Sequence, residues 1–388
     1  MKRIDPASRT DWRLFHQVPR FIYRHDPHWI EPLHSDVESV FDPEQNQAMA
    51  SGVAALWIVQ NERGQPLGRI AAFVDPARNR EMNLRIGGIG FFECIDAPQV
   101  AHTLLETAET FLRKQNVQVI DGIINFGERD KFWGLLTEGF TSPLYQENYH
   151  LPYYRAFFEA RDYQPHEQIL TFKGDLGDVP AQRLQAIAQR AEKRHGFVTK
   201  TLRESHFTTF ARHFAQAYNA AFAEKPHFKP ISESDMVSLF RKMRPITDPN
   251  MVCITYHGET PIGFAGFLPD INPYLKVARG QLNWRTLPGF LMRLKTARSK
   301  LLKGIAFGID PQWQGKGVFA ALVNHTYNQK TMDQYQNYFL AAIRAHNTLM
   351  VRSVKSLGVR VDRIHMSFRK KIDPMVSVSP YPFLDPEK

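Results

Sequence analysis

The same order of predicted elements occurs twice along the chain, and this repeat constrains the fold more than any other feature. In the first half, apolar runs at 53–60 and 67–74 flank a polar turn, and in the second half 251–256 and 262–268 do the same. Each pair predicts a β-hairpin. A further strand, a helix and another strand follow each hairpin. We therefore expect two α/β (α+β) lobes related by duplication.

The elements after the hairpins also match in pairs. They are strands at 87–95 and 303–309, helices at 97–115 and 317–334, strands at 117–125 and 337–345, and a closing short helix with a last strand at 153–171 and 347–371. Gly, Asp and Pro interrupt the pattern from Gly174 to Pro180. The sequence thus predicts a lobe at 1–175 and a second at 176–388, which opens with a helix-rich segment.

Composition excludes several classes of protein. The chain has 388 residues, with 49 Lys and Arg against 39 Asp and Glu, and two cysteines, Cys94 and Cys253. Two cysteines exclude a disulfide framework, and the histidines show no zinc-ligand spacing, so we expect no metal. Neither a run of 18 apolar residues nor a secretory signal is found. We expect a soluble, cytoplasmic protein without a membrane partner.

The net charge of +10 allows polyanion binding, and one stretch, Leu291 to Gly304, concentrates basic residues. We interpret this stretch as an amphipathic surface helix, with a docking face for an acidic partner or phosphates as the alternative. Its basic residues are Arg293, Lys295, Arg298, Lys300 and Lys303.

A glycine-containing turn joins the predicted strand ending at Ile309 to the next helix. Its sequence is Asp-Pro-Gln-Trp followed by Gln314, Gly315, Lys316 and Gly317. Unpaired N–H groups and the positive end of the helix dipole at such a turn form an anion site that suits a pyrophosphate. An ordinary tight connection is the alternative.

This segment resembles the acyl-CoA-binding motif of the GNAT (GCN5-related) N-acetyltransferases, Gln/Arg-x-x-Gly-x-Gly/Ala. Gln314 and Gly317 match, and Phe319 stands where Gly or Ala is usual. The resemblance implies tandem GNAT folds, each with a mixed, mostly antiparallel sheet flanked by helices. It also implies that one strand end aligns the pantetheine arm and the turn holds the pyrophosphate. The implied cofactor-binding residues are Phe307, Gly308, Ile309, Gln314, Gly315, Lys316, Gly317, Val318, Phe319 and Asn347.

A narrower resemblance, to uncharacterised bacterial proteins with two GNAT-like lobes, covers nearly the whole chain. It is carried by the segments 125–143, 149–154, 227–235, 248–252 and 263–272. The first lobe has Asp96-Ala97-Pro98 where the second has its glycine turn. A carboxylate at a helix start repels a pyrophosphate, so we expect one CoA site, in the second lobe.

Catalytic residues are not fixed by the sequence. The Glu that many GNAT enzymes carry on or beside the fourth strand is missing from 303–309, and Val354 stands where their Tyr would fall. Asp270 and Asn272 would face the acceptor, or Asp270 would only close a turn. His346 could act as a base or cap a helix. Asn347 would be a helix N-cap, a cofactor contact, or both.

An aromatic segment, Phe126 to Tyr154, carries Glu128, Arg129 and Asp130. We interpret it as a core wall, with a pocket lining between the lobes as the alternative. In sum, the sequence and its resemblance predict an N-acetyltransferase that uses acetyl-CoA, or another acyl-CoA, as co-substrate.

The acceptor would be a small-molecule or protein amine, and the oligomeric state stays open. A catalytically inactive CoA-binding or regulatory module is the alternative function. A nucleic-acid binder, for which the net charge and the basic stretch are the arguments, comes third.

Overall fold

The structure is a computed structural model that describes residues 1–224, 230–296 and 300–384. Thirteen strands in these residues form one sheet with helices on both faces. The strands are β1 (Lys2–Ile4), β2 (Val53–Gln60), β3 (Pro66–Val74), β4 (Ile86–Cys94), β5 (Val119–Gly122), β6 (Leu135–Glu138), β7 (Gln164–Asp175), β8 (Phe197–Thr201), β9 (Val252–His257), β10 (Thr260–Pro269), β11 (Leu301–Ile309), β12 (Asn337–Arg344) and β13 (Arg360–Lys371).

The helices are α1 (Arg9–Ile22), α2 (His34–Ser39), α3 (Gln47–Ser51), α4 (Pro76–Met82), α5 (Pro98–Lys114), α6 (Tyr154–Glu159), α7 (Ala181–His195), α8 (Phe207–Phe222), α9 (Glu233–Met243), α10 (Asn272–Leu275), α11 (Leu287–Thr296), α12 (Val318–Tyr327) and α13 (Thr348–Lys355). Four of them (α5, α6, α12 and α13) occupy the positions that the predicted repeat assigns to helices, and α7, α8 and α9 lie in the predicted helix-rich segment. Short 3₁₀ turns occur at Leu176–Asp178, Leu202–Glu204, Pro311–Trp313 and Lys330–Gln334. No helix in the described residues combines the length and apolar character that crossing a lipid bilayer requires.

The two halves exchange their last strands. The order across the sheet is β1-β2-β3-β4-β5-β13-β7-β12-β11-β10-β9-β8, with β6 beside β13. The final strand β13 therefore pairs with β5 of the first half, and β7 pairs with β12 of the second half. The two exchanged strands pair antiparallel with each other from Arg360↔Lys173 to Arg369↔Gln164. This central pair joins the halves into one sheet.

Both hairpins form as predicted, and the helices pack on the faces that their apolar residues favour. Helix α5 covers one face of the first half, and α1 covers the other. In the second half, α7 and α12 pack together on one face and α8 packs on the other, beside α9. The α+β class is confirmed, because each buried face of the sheet needs a helical layer to exclude water.

Several element predictions were wrong in extent. The basic stretch is not one helix, because α11 ends at Thr296 and Leu301 begins strand β11; Arg298 lies outside the described residues. Helix α12 ends at Tyr327, short of the predicted 334, and β5 covers 119–122. Strands β1, β6 and β8 were missed, because runs of three to five residues carry little periodicity.

The lobe boundary at 175/176 stays a prediction. The exchange nevertheless ties residues on either side of it through a buried charge cluster. Asp121 on β5 accepts hydrogen bonds from Arg369 on β13 at 2.5 and 2.8 Å, and from Arg78 at 2.5 Å. Burial alone would raise the pKa of Asp121, but the two guanidinium groups hold it below its ordinary value.

We expect Arg369→Met to lower the free energy of unfolding by about 3–5 kcal/mol, because it leaves the buried Asp121 carboxylate with a single cation. Urea denaturation at neutral pH measures this change.

The matched control is Arg360→Met in the same strand. Arg360 is 64% exposed and pairs with Asp175 at 3.3 Å, so its loss should cost about 0–1 kcal/mol. Equal effects of the two variants would contradict a special role for the β5–β13 contact.

Candidate functional site

Strands β11 and β12 begin side by side and then separate. They pair in parallel from Leu301↔Asn337 to Gly304↔Leu340, and the pairing stops there. Beyond Gly304, β11 continues against β10 up to Ile309, and β12 continues against β7. Within the described chain, the β12-facing backbone edge of residues 305–309 has no strand partner. We call this wedge-shaped gap the splay, and Gly304 its closed end.

Local irregularities produce the splay. The β10–β11 register shifts at the closed end, which leaves Ile305 as a bulge residue that is 44% exposed. On the other side, the β7–β12 register shifts between Leu340 and Ile343, and Ala342 has a φ of 57°. The two bulges turn the strands apart, and open backbone N–H and C=O groups face the gap.

The predicted anion turn lies at the open end of the splay. Gly315 and Gly317 have φ values of 73° and 90°, which only glycine adopts without strain. A Cβ on Gly317 would lie 2.5 Å from the Ala191 Cβ on α7, whereas a Cβ on Gly315 would meet nothing within 4 Å. Gly317 is the N-cap of α12, whose first N–H groups have no partner within the helix. Both glycines are therefore required locally, and the turn places the unpaired N–H groups of the first turn of α12 beside the open space next to Gly315.

Side chains of the turn leave this point accessible. The Lys316 ammonium lies 4.7 Å from the centre of the Trp313 ring, at the rim. The Gln314 side-chain amide donates to the Ile309 carbonyl at 3.3 Å. The Phe319 ring packs edge-on against Phe307, with centroids 5.2 Å apart. Phe319, the departure from the GNAT pattern, thus contacts the sheet. These residues fit a pyrophosphate group.

Asn347 and His346 follow the open end of β12. Asn347 is exposed and caps α13, accepting a hydrogen bond from the Met350 N–H at 3.2 Å. His346 stacks on Tyr381, with centroids 4.4 Å apart, and its Nδ1 lies 3.9 Å from a Glu167 oxygen. Burial lowers the pKa of His346. Six residues, roughly 20 Å of extended chain, separate His346 from Leu340 at the closed end, which argues against a role at a reacting thioester.

A half-buried lysine marks the closed end of the splay. Lys303, one residue before Gly304, donates from Nζ to the Tyr145 carbonyl at 2.7 Å. Burial lowers the pKa of Lys303, while the carboxylates of Glu147, Asp270 and Asp130 oppose that shift. The predicted basic helix thus contributes an internal cation to the site.

Asp270 and Asn272 lie at this same end, opposite the anion turn, but both are buried. Asp270 accepts from the N–H groups of Asn272 at 3.3 Å and Tyr145 at 3.2 Å, and burial raises the pKa of its carboxyl. The Asn272 amide donates to the Pro143 carbonyl at 2.7 Å. They hold a first-half segment against β10. Direct contact of either with an acceptor stays a prediction.

A second ion pair supports that segment. Glu147 accepts hydrogen bonds from Arg363 on β13 and from the Thr171 hydroxyl on β7, both at 2.7 Å. Burial opposes ionisation of Glu147, but the charge of Arg363 and the hydrogen bonds that the carboxylate accepts together outweigh it, and the pKa of this carboxyl falls to about 2. The exchanged strands β7 and β13 therefore hold in place the Glu147 carboxylate, whose charge raises the pKa of Lys303.

A loop from the first half, residues 126–133, forms another wall. Arg129 pairs with the buried Glu167 at 2.8 Å, and the Arg129 carbonyl accepts from Arg344 on β12 at 3.4 Å. The neighbouring Asp130 is exposed, and its charge shifts the pKa values of Tyr218 on α8 and of Arg344, besides that of Lys303. An exposed carboxylate thus lies near three elements that border the splay.

The first half contains an equivalent gap between two parallel strands, but there side chains of the protein bond to the strand end. Strands β4 and β5 pair in parallel from Ile86↔Val119 to Ile89↔Gly122 and then separate. There the hydroxyl groups of Tyr153 and Tyr154 donate to the Cys94 carbonyl at 2.8 and 3.0 Å. In the first half, tyrosine hydroxyls therefore hydrogen-bond to the last residue of the strand, Cys94. The equivalent residue of the second half is Ile309.

Comparisons with known proteins agree with this architecture. No family model matches the chain. The chain is 24% identical over 314 residues to Protein YghO of Escherichia coli, covering 79% of this chain and 78% of that protein. It is 26% identical over 320 residues to a bacterial ceramide synthase of Caulobacter vibrioides, covering 80% of this chain and 81% of that protein.

Solved structures show the fold. A tandem GNAT protein from the clavulanic acid biosynthesis pathway matches with a TM-score of 0.55 and 10% identity, over 97% of this chain and 99% of that one. The glucosamine N-acetyltransferase region of a fungal multi-domain GH3 β-N-acetylglucosaminidase matches with a TM-score of 0.54 and 11% identity; 95% of this chain aligns, which spans 38% of that protein. The predicted tandem GNAT fold is confirmed, and the predicted resemblance to GNAT proteins holds at the level of the fold.

Sequence reasoning missed Lys303 and Glu147 as site residues, and named Asp130 only within an aromatic segment. The one available signal for Lys303 was its position within a short apolar strand. A cation there loses water, so it would have indicated that carboxylates lie nearby.

We expect Glu147→Gln to lower the free energy of unfolding at neutral pH by about 3–5 kcal/mol. The wild-type carboxyl has a folded pKa of about 2 against an ordinary 4.5. Its stabilisation is therefore full above 4.5 and is lost as pH falls towards 2. The variant should show a shallower loss of stability over that range in urea titrations at several pH values.

Glu138→Gln, which removes an exposed carboxylate from β6, is the control and should follow the wild-type curve. If Glu147→Gln also follows the wild-type curve, Glu147 is not the strongly ionised group described here.

Proposed function

We propose that this protein is an acyl-CoA-dependent acyltransferase that forms an amide from an amine acceptor. The carrying observation is the splay between β11 and β12, with the left-handed Gly315 and Gly317 turn at its open end. The GNAT fold and the ceramide synthase relative support an acyltransferase, since a ceramide is an amide.

In this proposal, the open edge of Phe307 to Ile309 pairs with the pantetheine arm, and the N–H groups around Gly317 bind the pyrophosphate. The thioester then lies near Gly304. The amine nitrogen bonds to the carbonyl carbon, the carbon–sulfur bond breaks, and its electron pair leaves on the CoA sulfur, which takes a proton from water. Lys303 supplies positive potential where the carbonyl oxygen gains negative charge.

We assign the removal of the amine proton to Asp130. It is exposed, whereas Asp270 is 3% exposed and bonded to backbone N–H groups. Its charge affects the pKa values of Tyr218, Lys303 and Arg344, which supports a position within electrostatic range of the splay. A carboxylate there would accept the proton directly or through one water molecule.

The acyl group expected from the sequence is acetyl, and one relative of this protein favours a longer one. An apolar cavity of about 30 Å³, which has room for about one water molecule, lies beside the closed end of the splay on the α12 face and would have to widen to hold a longer acyl chain. Phe267 borders it and lies 3.4 Å from where a Cβ of Gly304 would stand. Leu302 also lines it, with Val323, Thr326 and Tyr327 of α12. The ceramide synthase relative agrees with a fatty acyl donor.

We expect the wild type to bind acyl-CoA in calorimetric titrations with acetyl-CoA and with palmitoyl-CoA, and Gly315→Asp to weaken binding roughly tenfold or more. The new carboxylate would point into the open space where the pyrophosphate is expected, and its negative charge would repel the pyrophosphate.

The matched control is Gly258→Asp in the turn between β9 and β10. Gly258 also has a positive φ, of 60°, and open space at its Cβ position, so the backbone strain is similar. Absence of binding of both acyl-CoAs to the wild type would overturn the proposal in favour of an inactive GNAT-fold module. Whichever of the two acyl-CoAs binds more tightly identifies the class of acyl donor.

For an amine found to be acylated, Asp130→Asn should lower kcat about a hundredfold and leave KM for acyl-CoA nearly unchanged, because it removes proton transfer and not cofactor binding. Steady-state rates with the donor and acceptor varied separately measure this effect.

Glu128→Gln in the same loop is the comparison, since Glu128 is 68% exposed and pairs with Lys131 at 2.8 Å. An equal loss of kcat in both variants would indicate general electrostatics of the loop, and no loss in Asp130→Asn would remove Asp130 from the mechanism.

A further inference from the structure

One part of the second half contains no acidic residue. Between Asp270 and Asp310, residues 271–309 include eight lysines and arginines and neither Asp nor Glu. The whole chain has a net charge of +10, so this tenth of the sequence carries most of the excess. A surface built from it attracts anions.

Most of this segment is an insertion. The connection between β10 and β11 has 31 residues (270–300), whereas the equivalent connection between β3 and β4 has 11 (75–85). The insertion contains α10 and α11, and it leaves and rejoins the sheet at the closed end of the splay, beside Lys303. The repeat itself therefore does not require these residues.

The outer side of the insertion exposes large apolar side chains. Trp284 is 78% exposed and Met292 62%, while Leu282, Leu287 and Leu291 are 38–40% exposed. Three arginines accompany them, and each is exposed: Arg279, Arg285 and Arg293. The Arg285 guanidinium lies over the Trp284 ring at 4.8 Å. We call these eight residues the α11 surface.

The inner side anchors the insertion firmly. Phe290 is buried, and it packs in a cluster with Ile30 and Leu33 of the first half and with Leu275 of α10. Backbone contacts add to this packing, since the Arg279 carbonyl accepts from Arg20 at 2.7 Å. Because Phe290 already supplies the inward face, folding does not account for the exposure of Trp284 and Met292.

We propose that the α11 surface docks on an anionic lipid membrane, with Trp284, Met292 and the leucines entering the interface and the arginines contacting lipid phosphates. Tryptophan and leucine beside arginine is the composition of interfacial helices. Trp is favoured at the depth of the lipid headgroups. The proposal does not depend on acyltransferase activity, and it departs from the sequence expectation of no membrane partner.

Apolar exposure favours a lipid over a nucleic acid. Nucleic-acid binding by surface arginines is electrostatic and weakens steeply with salt, and it gives no reason to expose Met292 and three leucines. Membrane docking uses both the charge and the apolar area. It should therefore keep a salt-resistant component that Trp284 provides.

The test is sedimentation of the full chain with vesicles of phosphatidylcholine, with and without phosphatidylglycerol, at low and high salt. We expect binding to the mixed vesicles. Arg285→Gln with Arg293→Gln should weaken it roughly thirtyfold. Trp284→Ser should weaken it roughly tenfold and remove the part that persists at high salt.

Controls carry the same changes elsewhere. Arg113→Gln with Lys114→Gln neutralises two exposed charges on α5, and Val198→Ser removes a side chain that is 51% exposed on β8. Circular dichroism verifies that every variant is folded. Absence of binding to the mixed vesicles, or equal losses in the control variants, would overturn the proposal. Binding of an oligonucleotide that the α11 variants abolish, without vesicle binding, would replace the lipid with a nucleic acid.

Discussion

The rest of the structure depends on the antiparallel pairing of β7 with β13. These two strands are the middle of the sheet, and each is flanked by a strand from the other half. Their side chains supply Arg363, Glu167 and Arg369, the charged groups that hold β5, the 126–133 loop and the segment around Glu147. Because these charges are buried, each requires an oppositely charged partner. The contacts that join the two halves therefore also position the segments on either side of the splay.

The sequence predicted much of what is encoded locally. The hairpins and the longer helices follow from apolar periodicity, and the turn at Gly315 and Gly317 follows from two glycines at a strand-to-helix junction. The exchange of β7 and β13 was not predictable, since a strand's apolar pattern is the same whichever neighbour it pairs with. The position of Lys303 was missed for a related reason: the carboxylates that raise its pKa lie far away in the sequence, and no local pattern indicates that they are near.

The two halves have diverged in how they use one architecture. In each half two parallel strands separate, β4 from β5 and β11 from β12. The gap is therefore a feature of the repeated fold and does not require a bound ligand to form. In the second half the strand end is open and the turn beyond it carries glycines. In the first half tyrosine hydroxyls bond the strand end, and Asp96 precedes the helix. The first half instead supplies loops that cover the other's gap. In the function we propose, the second half would bind the co-substrate and the first half would help to enclose it.

The strand exchange also governs the order in which the molecule can be assembled during synthesis. Strand β5 is synthesised well before β13, its neighbour in the finished sheet, and until β13 follows the first half has an unpaired strand edge and an Asp121 that lacks Arg369. Such an edge is an aggregation hazard. The first half therefore stays without the neighbour of β5 while more than two hundred residues are synthesised, and its unpaired strand edge is exposed throughout that interval.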